Sequence, residues 1–222
     1  MKYPVNEVFE TIQGEGFYTG VPAIFVRLQG CPVGCSWCDT KHTWELLDVN
    51  KVQPEMVIQV DGTIGRWSEL TTSELISFLK QKEFTASHVV ITGGEPCLHD
   101  LTAMTEEFND AGYSTQIETS GTFEVHCSEK TWVTVSPKLK MKAGLAVLPQ
   151  ALKRANEIKH PVATASHIDD LDELLNGVDL KGKTICLQPI SQKTRATELA
   201  MRVCIERNWR LSIQTHKYLD ID

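Results

Sequence analysis

Cys31, Cys35 and Cys38 fall in one eight-residue stretch, Cys31-Pro-Val-Gly-Cys35-Ser-Trp-Cys38. Thiolates are soft ligands and select soft metal centres. A [4Fe–4S] cube usually takes four cysteines, one per iron, and this loop offers three. A cube held here keeps one iron without a cysteine, and a small molecule can coordinate there. That arrangement suits a cluster that acts on a bound ligand rather than one that only carries electrons. Pro32 and Gly34 fit a tight loop, because proline fixes one dihedral and glycine permits strained ones. A disulfide fits poorly with seven cysteines, an odd number, and an N-terminus lacking an apolar signal core. A structural zinc site is the better rival, with His42 or Asp39 near enough in sequence to be its fourth ligand. Cys97, Cys127, Cys186 and Cys204 sit among apolar neighbours and read as buried or half-buried free thiols.

The elements that position this loop must come from a chain of 222 residues, enough for one α/β domain with a sizeable core. Hydrophobic residues make up 41% and charged residues 23%, as in ordinary globular proteins. No run approaches the ~20 apolar residues of a membrane helix, so no membrane association is expected and a cytoplasmic location is. A net charge of −7 argues against a broad nucleic-acid footprint.

Strand-like and helix-like stretches alternate. Residues 23–28, 88–92, 113–118, 131–135, 184–188 and 209–213 read as six strands. Thr71-Thr-Ser-Glu74 is a capping box, and Leu75, Ile76 and Leu79 follow on one helical face. Leu98, Leu101, Met104 and Phe108 keep helical spacing. Residues 148–158, 168–175 and 194–207 also read as helices. Such alternation predicts a parallel sheet with right-handed crossovers. Residues 44–67 break the rhythm and read as an insertion containing a Val57-Ile-Gln-Val60 strand signal, so a single domain over 1–222 is expected.

Ligands of parallel sheets gather at the carboxyl ends of strands. Cys31, Gly93-Gly94-Glu95-Pro96, Glu118-Thr-Ser-Gly121, Ser136-Pro-Lys138, Gln188-Pro-Ile-Ser191 and Gln214-Thr-His216 each follow one of the six strands. Six polar motifs on one rim predict one large site. In Gly93-Gly94-Glu95 the glycines allow close backbone approach to a ligand, and Glu95 with the strand-end carbonyls can accept bonds from an ammonium group. A plain strand-to-helix turn explains the same residues.

Taken together, the cysteine triplet with Trp37 before its third cysteine and the Gly93-Gly94-Glu95-Pro96 segment resemble the radical S-adenosylmethionine (SAM) superfamily. The resemblance narrows with Glu7-Val-Phe-Glu-Thr-Ile-Gln13-Gly14-Glu15-Gly16, Phe25-Val-Arg27-Leu-Gln-Gly30, Asp39-Thr40-Lys41, Thr92, Glu118-Thr-Ser-Gly121, Val135-Ser136-Pro-Lys138 and Gln214-Thr-His216-Lys-Tyr218. The set is similar to the 7-carboxy-7-deazaguanine synthase family, in its γ-proteobacterial form with three residues in the first cysteine gap. It spans nearly the whole chain.

The resemblance implies an α/β fold, a partial, open (β/α) barrel of the radical SAM type with about six parallel strands. The implied activity converts 6-carboxy-5,6,7,8-tetrahydropterin to 7-carboxy-7-deazaguanine with release of ammonia, toward queuosine and related 7-deazapurines. The implied cofactors are a [4Fe–4S] cluster on Cys31, Cys35 and Cys38, SAM used catalytically, and Mg²⁺ with Thr40 as a ligand. By the same resemblance, SAM contacts fall on Gly94, Glu95, Ser136, Pro137, Lys138 and Gln188. Substrate contacts fall on Ile12, Gln13, Gly14, Arg27 and Thr92. The expected partners are the pterin substrate, a second copy in a homodimer, and an electron donor such as reduced flavodoxin. For Arg27, a fork matched to the substrate carboxylate competes with an internal ion pair to Glu15 or Glu118. For Asp39-Thr40, metal binding competes with helix capping. Glu118 falls in the pocket, and the role of His216 is open. Two alternatives stand: another radical SAM enzyme, such as a glycyl-radical activase, and a zinc-stabilised binding module.

Overall fold

The computed structural model describes residues 1–58, 65–190 and 193–221. Among the described residues nine strands form one sheet, numbered in chain order. They are β1 (Tyr3–Ile12), β2 (Pro22–Leu28), β3 (Ser68–Leu70), β4 (His88–Gly93), β5 (Ser114–Thr119), β6 (Trp132–Val135), β7 (Glu157–Val162), β8 (Thr184–Pro189) and β9 (Arg210–Leu211). The order across the sheet is β3-β1-β2-β4-β5-β6-β7-β8-β9. From β2 to β9 every neighbouring pair is parallel, whereas β1 runs antiparallel to β2 and β3. The parallel strands therefore number seven, not six.

Helices α1 (Thr72–Gln81), α2 (Thr102–Asp110), α3 (Pro149–Arg154), α4 (Ala165–Leu175) and α5 (Thr194–Arg207) connect them, and a short α6 (His216–Leu219) follows β9. The capping box forms: Thr71 Oγ1 accepts from Glu74 N at 3.3 Å, and Glu74 Oε2 accepts from Thr71 N at 2.7 Å. Leu98 lies in a separate 3-10 turn, Pro96–Leu98, ahead of α2.

Alternation along the strands sorts residues onto two faces. Ile24, Val26 and Leu28 of β2, Val89 and Ile91 of β4, and Ile117 of β5 join one apolar cluster with Leu75 and Leu79 of α1 and Met104 and Phe108 of α2. Val133 and Val135 of β6, Ile158 and Val162 of β7, and Ile185 and Leu187 of β8 join a second, with Ile168 and Leu171 of α4 and Ala200 of α5. Between them Arg27, Thr92, Gln116, Glu118, Thr134, Glu157, Lys159 and Gln188 face the other way, together with the apolar Phe25 and Val90. Parallel strands covered on both faces are normally continuous apolar runs. Here one face is apolar under helices and the other is a polar chamber.

Two predicted elements are corrected. Residues 148–158 are not one helix: α3 ends at Arg154, Ala155 is extended, and β7 begins at Glu157. Glu157, Lys159 and Pro161 disfavour a strand locally, but pairing with β6 and β8 decides the matter. Residues 3–12, where no strand is predicted, form β1: register with β2 runs from Val5↔Leu28 to Ile12↔Pro22 with an irregularity at Asn6, and Pro4 pairs with Glu69 of β3. In the 44–67 segment the described residues form 3-10 turns. Val57 and Ile58 are buried in the first cluster. Gln59 and Val60, half of the predicted strand signal, lie outside the described residues, as does Ser191.

Candidate functional site

Residues 13–21 link β1 to β2 and reach across the chamber to its far edge. Gly16 N donates to Ser212 Oγ at 2.8 Å, and Phe17 N donates to Glu157 at 3.2 Å. Phe17 stacks on Trp132 with centroids 4.5 Å apart, and Tyr18 packs on His88 at 4.4 Å. The C-terminal segment binds the same loop, with Thr215 N donating to Gly14 O at 3.0 Å and Gln214 Nε2 to Glu15 Oε1 at 2.9 Å. Gly14 is required by this approach. A Cβ there would lie 2.5 Å from the His216 ring.

Above this floor is a cavity of about 490 Å³, within the range of small-molecule sites. All six predicted rim motifs line it. So do Cys31, Cys35, Cys38, Thr40, Ile12, Gln13, Gly14, Arg27, Thr92, Gly94, Glu95, Ser136, Lys138 and Gln188. Pro137 does not line it; Pro137 is buried within the wall.

The cysteine loop leaves β2 and is tied down by Gly30 N to Thr43 O at 2.7 Å and Cys31 N to Trp44 O at 2.9 Å. The double glycine is needed by that loop more than by a ligand. Gly93 has φ +130°, and a Cβ on Gly94 would lie 2.0 Å from Gly30 O. Gly94 N donates to Leu28 O and Glu95 N to Gly30 O, both at 2.8 Å. Glu95 has no acceptor to spare for an ammonium group. Its Oε1 accepts from Cys97 N at 3.0 Å and Thr119 Oγ1 at 2.6 Å, and its Oε2 from Ser120 N at 2.8 Å and the Ser120 hydroxyl. These four bonds fill the carboxylate's lone-pair sites. Glu95 joins the end of β4 to the end of β5, a positioning task.

Arg27 pairs with neither Glu15 nor Glu118. Its Nε donates to Glu7 Oε1 at 2.6 Å across the β1–β2 ladder, and its guanidinium lies 5.8 Å from the Phe9 ring centroid. Register with Thr92 on β4 puts both side chains on the chamber face. Thr40 Oγ1 lies 3.5 Å from Cys38 Sγ and makes no helix-cap bond. Asp39 is exposed, 3.9 Å from Lys217 Nζ. Lys138 Nζ donates to Ser136 Oγ at 2.7 Å and lies 4.7 Å from the Trp37 ring centroid.

The residue that sequence reasoning missed is Lys159. It lay at the boundary of a misassigned helix, one place past its end. Its Nζ contacts Glu15 Oε2 at 2.7 Å and Glu118 Oε2 at 2.9 Å, and its side chain is 5% exposed. No local pattern marks it, because Lys159 stands between Ile158 and the polar His160.

The donor set fits an iron–sulfur cube. Three soft sulfurs open into one cavity, and burial pushes the Cys31 thiol up to about 11, so a metal's charge is what would hold it as thiolate. A cube takes one thiolate per iron.

Fold and site together define a protein that carries one [4Fe–4S] cluster on a radical SAM type of half-barrel, and its relatives agree. The family profile for a 4Fe-4S single cluster domain matches residues 12–136. The chain is 57% identical over the full length of both chains to 7-carboxy-7-deazaguanine synthase of Escherichia coli K12. It is 47% identical, again over the full length of both, to the synthase of Buchnera aphidicola. The crystal structure of QueE from Escherichia coli superposes with a TM-score of 0.94 at 56% identity, covering 96% of this chain and 94% of that one. The chain belongs to the 7-carboxy-7-deazaguanine synthase family. The zinc-module alternative falls with that membership.

Proposed function

We propose that this protein converts 6-carboxy-5,6,7,8-tetrahydropterin to 7-carboxy-7-deazaguanine and ammonia, as one radical SAM domain over residues 1–222. The observation that carries the reading is the shared cavity. The three cysteines of the loop after β2 open into the same chamber as Arg27, Thr92 and the floor at Gln13–Glu15. Bound together, the cluster and SAM supply a 5′-deoxyadenosyl radical that can take hydrogen from a substrate carbon.

The chain's own residues bind and orient. Arg27, steadied by Glu7 through Nε, turns its remaining N–H groups to the substrate carboxylate. Ile12, Gln13 and Gly14 form the wall offered to the pterin edge, and Thr92 supports the same ring from β4. The floor loop and the segment ending at His216 exclude water. Gly94, Ser136, Lys138 and Gln188 bound the SAM side of the chamber. Thr40 would give Mg²⁺ one hydroxyl, and since one protein oxygen cannot hold this cation, substrate and water oxygens would be needed beside it. A glycyl-radical activase would bind a protein partner and has no use for Arg27 or Thr40 in these places.

The expected setting is a cytoplasmic homodimer reduced by a flavodoxin-like donor; among the described residues no helix is long and apolar enough to cross a membrane. The test is anaerobic turnover of reconstituted protein with SAM, Mg²⁺, a chemical reductant and the carboxytetrahydropterin. Product and ammonia should form in equal amounts. SAM cleavage with no consumption of the pterin would reject this substrate.

A further inference from the structure

One ammonium serves two carboxylates on the floor of the cavity, and a third carboxylate lies beside them. Glu15 accepts from Lys159 Nζ at 2.7 Å and from Gln214 Nε2 at 2.9 Å. Glu118 accepts from Lys159 Nζ at 2.9 Å and from Gln116 Nε2 at 2.9 Å. Glu157, fully buried, accepts from Phe17 N, Trp132 Nε1 and Thr134 Oγ1. The other charged or titratable groups against this floor are Lys138, held against Ser136 and Trp37, His216, packed on Gly14, Cys186 and Tyr18 beside Glu157, Arg210 over the Phe17 ring, and His88, whose Nε2 lies 3.0 Å from the Gln116 Oε1. Carboxylates crowded in low dielectric do not all ionise at neutral pH.

We propose that Lys159 is a positioning residue that divides its one charge between Glu15 and Glu118, fixing Glu15 as a carboxylate and leaving Glu118 to carry the proton that the reaction moves. The proposal rests on the activity proposed above. Glu157 has three donors, and Glu15 has the shorter contact to Lys159. Glu118 has two donors and feels both other carboxylates. Burial and the charges of Glu157 and Glu15 push Glu118 up to about 7 in spite of Lys159. Burial acts on Glu15 too, but there the charge and hydrogen bond of Lys159 prevail and hold it down to about 2.

The reaction needs such a carrier. Losing ammonia from a reduced ring breaks a carbon–nitrogen bond, whose electron pair leaves with nitrogen and takes up a proton. Forming the aromatic pyrrole removes a proton from a ring carbon. Glu118 as the acid gives its proton to the departing nitrogen, and as the carboxylate it takes the proton from carbon. The two transfers cancel, so no oxidant, reductant or net proton is required.

The experiment uses reconstituted holoenzyme and the variants Lys159→Met, Lys159→Arg and Glu118→Gln. Infrared titration of the resting, oxidised enzyme should show one carboxylic acid losing its proton near pH 7, absent from Glu118→Gln. In Lys159→Met that midpoint should rise by a pH unit or more. Turnover should fall about a hundredfold or more in Lys159→Met and Glu118→Gln, with KM changed only a few-fold. Lys159→Arg should recover most of the rate. A midpoint unmoved in Lys159→Met, or Lys159→Met turning over with the wild-type pH profile, would overturn the proposal. Failure of wild-type enzyme to consume the pterin would strike the functional reading instead, since the infrared titration needs no substrate.

Discussion

Replacing Gly94 by Ala tests whether the double glycine serves the cluster loop rather than a ligand. A Cβ on Gly94 would lie 2.0 Å from Gly30 O, 2.5 Å from Gly30 C and 3.1 Å from the Cβ of Cys31. Ordinary contact begins near 3.4 Å, so the two backbones must part by about 1.4 Å. Both sides are main chain, and no flexible side chain can yield. The separation breaks the bonds from Gly94 N to Leu28 O and from Glu95 N to Gly30 O. Each is worth about 0.5–1.5 kcal/mol, and the overpacking adds about 1–3 kcal/mol. The sum, about 2–6 kcal/mol, corresponds to a fall in Tm on the order of 10 °C for a chain of this size. Cys31 follows Gly30 directly, so the cysteine loop moves with it. Iron and sulfide content after anaerobic reconstitution, and Tm of the unreconstituted chain, are the measurements. Gly112→Ala is the control. It has φ +93° and nothing within 4 Å of its Cβ, so it costs only the left-handed strain of roughly 1–2 kcal/mol. A Gly94→Ala protein with a full cluster and a Tm no lower than Gly112→Ala would refute the reasoning.

Arg27→Lys should weaken binding of the carboxytetrahydropterin about ten- to a hundredfold, because an ammonium can satisfy Glu7 or the substrate but cannot present a fork to both. Calorimetry on oxidised enzyme measures it, and an unchanged Kd would leave Arg27 as a purely internal partner of Glu7. Thr40→Ala should raise the Mg²⁺ concentration for half-maximal turnover and Thr40→Ser should do so less; an unchanged Mg²⁺ dependence in Thr40→Ala would remove Thr40 from the metal site. His160 gives a pH prediction. Burial lowers it to about 4, and with Nε2–H donating to His167 O at 2.9 Å, its buried Nδ1 has no partner. Protonation would place an N–H where nothing accepts it. The depressed value means that this contribution is full above the unfolded pKa near 6.5 and is lost as pH falls from there toward 4. Urea unfolding should show wild type losing about 2 kcal/mol more than His160→Gln between pH 7 and pH 5; parallel losses would count against it.

The residues that carry the chemistry were legible because their information is local. Three cysteines in eight residues define a soft ligand set wherever the loop lies, and the apolar runs ahead of Cys31 and Gly93 mark two strands. Placing the polar motifs at the ends of parallel strands was enough to gather them on one rim, and one cavity does collect them. The errors share a cause. Glu157, Lys159 and Pro161 do not look like strand residues, because their shared face of β7 meets its partners only once β6 and β8 stand on either side. β1 was missed for the same reason: pairing with β2 and β3, not its own composition, makes a strand of a segment that contains Pro4 and Asn6.

The sequence by itself determined the soft ligand set, the alternation of strands and helices, and the neighbourhood of each functional motif. These follow from ligand type, short-range spacing and hydrophobic period, which act within a few residues. Tertiary structure alone decided which charges meet. Arg27 found Glu7 across a ladder rather than Glu15 or Glu118. Glu95 spent its carboxylate on Thr119 and Ser120. Lys159 became the counter-charge for residues 144 and 41 positions away. Buried charges are stable only with partners at hydrogen-bonding distance, and such distances between remote segments are set by strand register and by the loop that crosses the chamber floor.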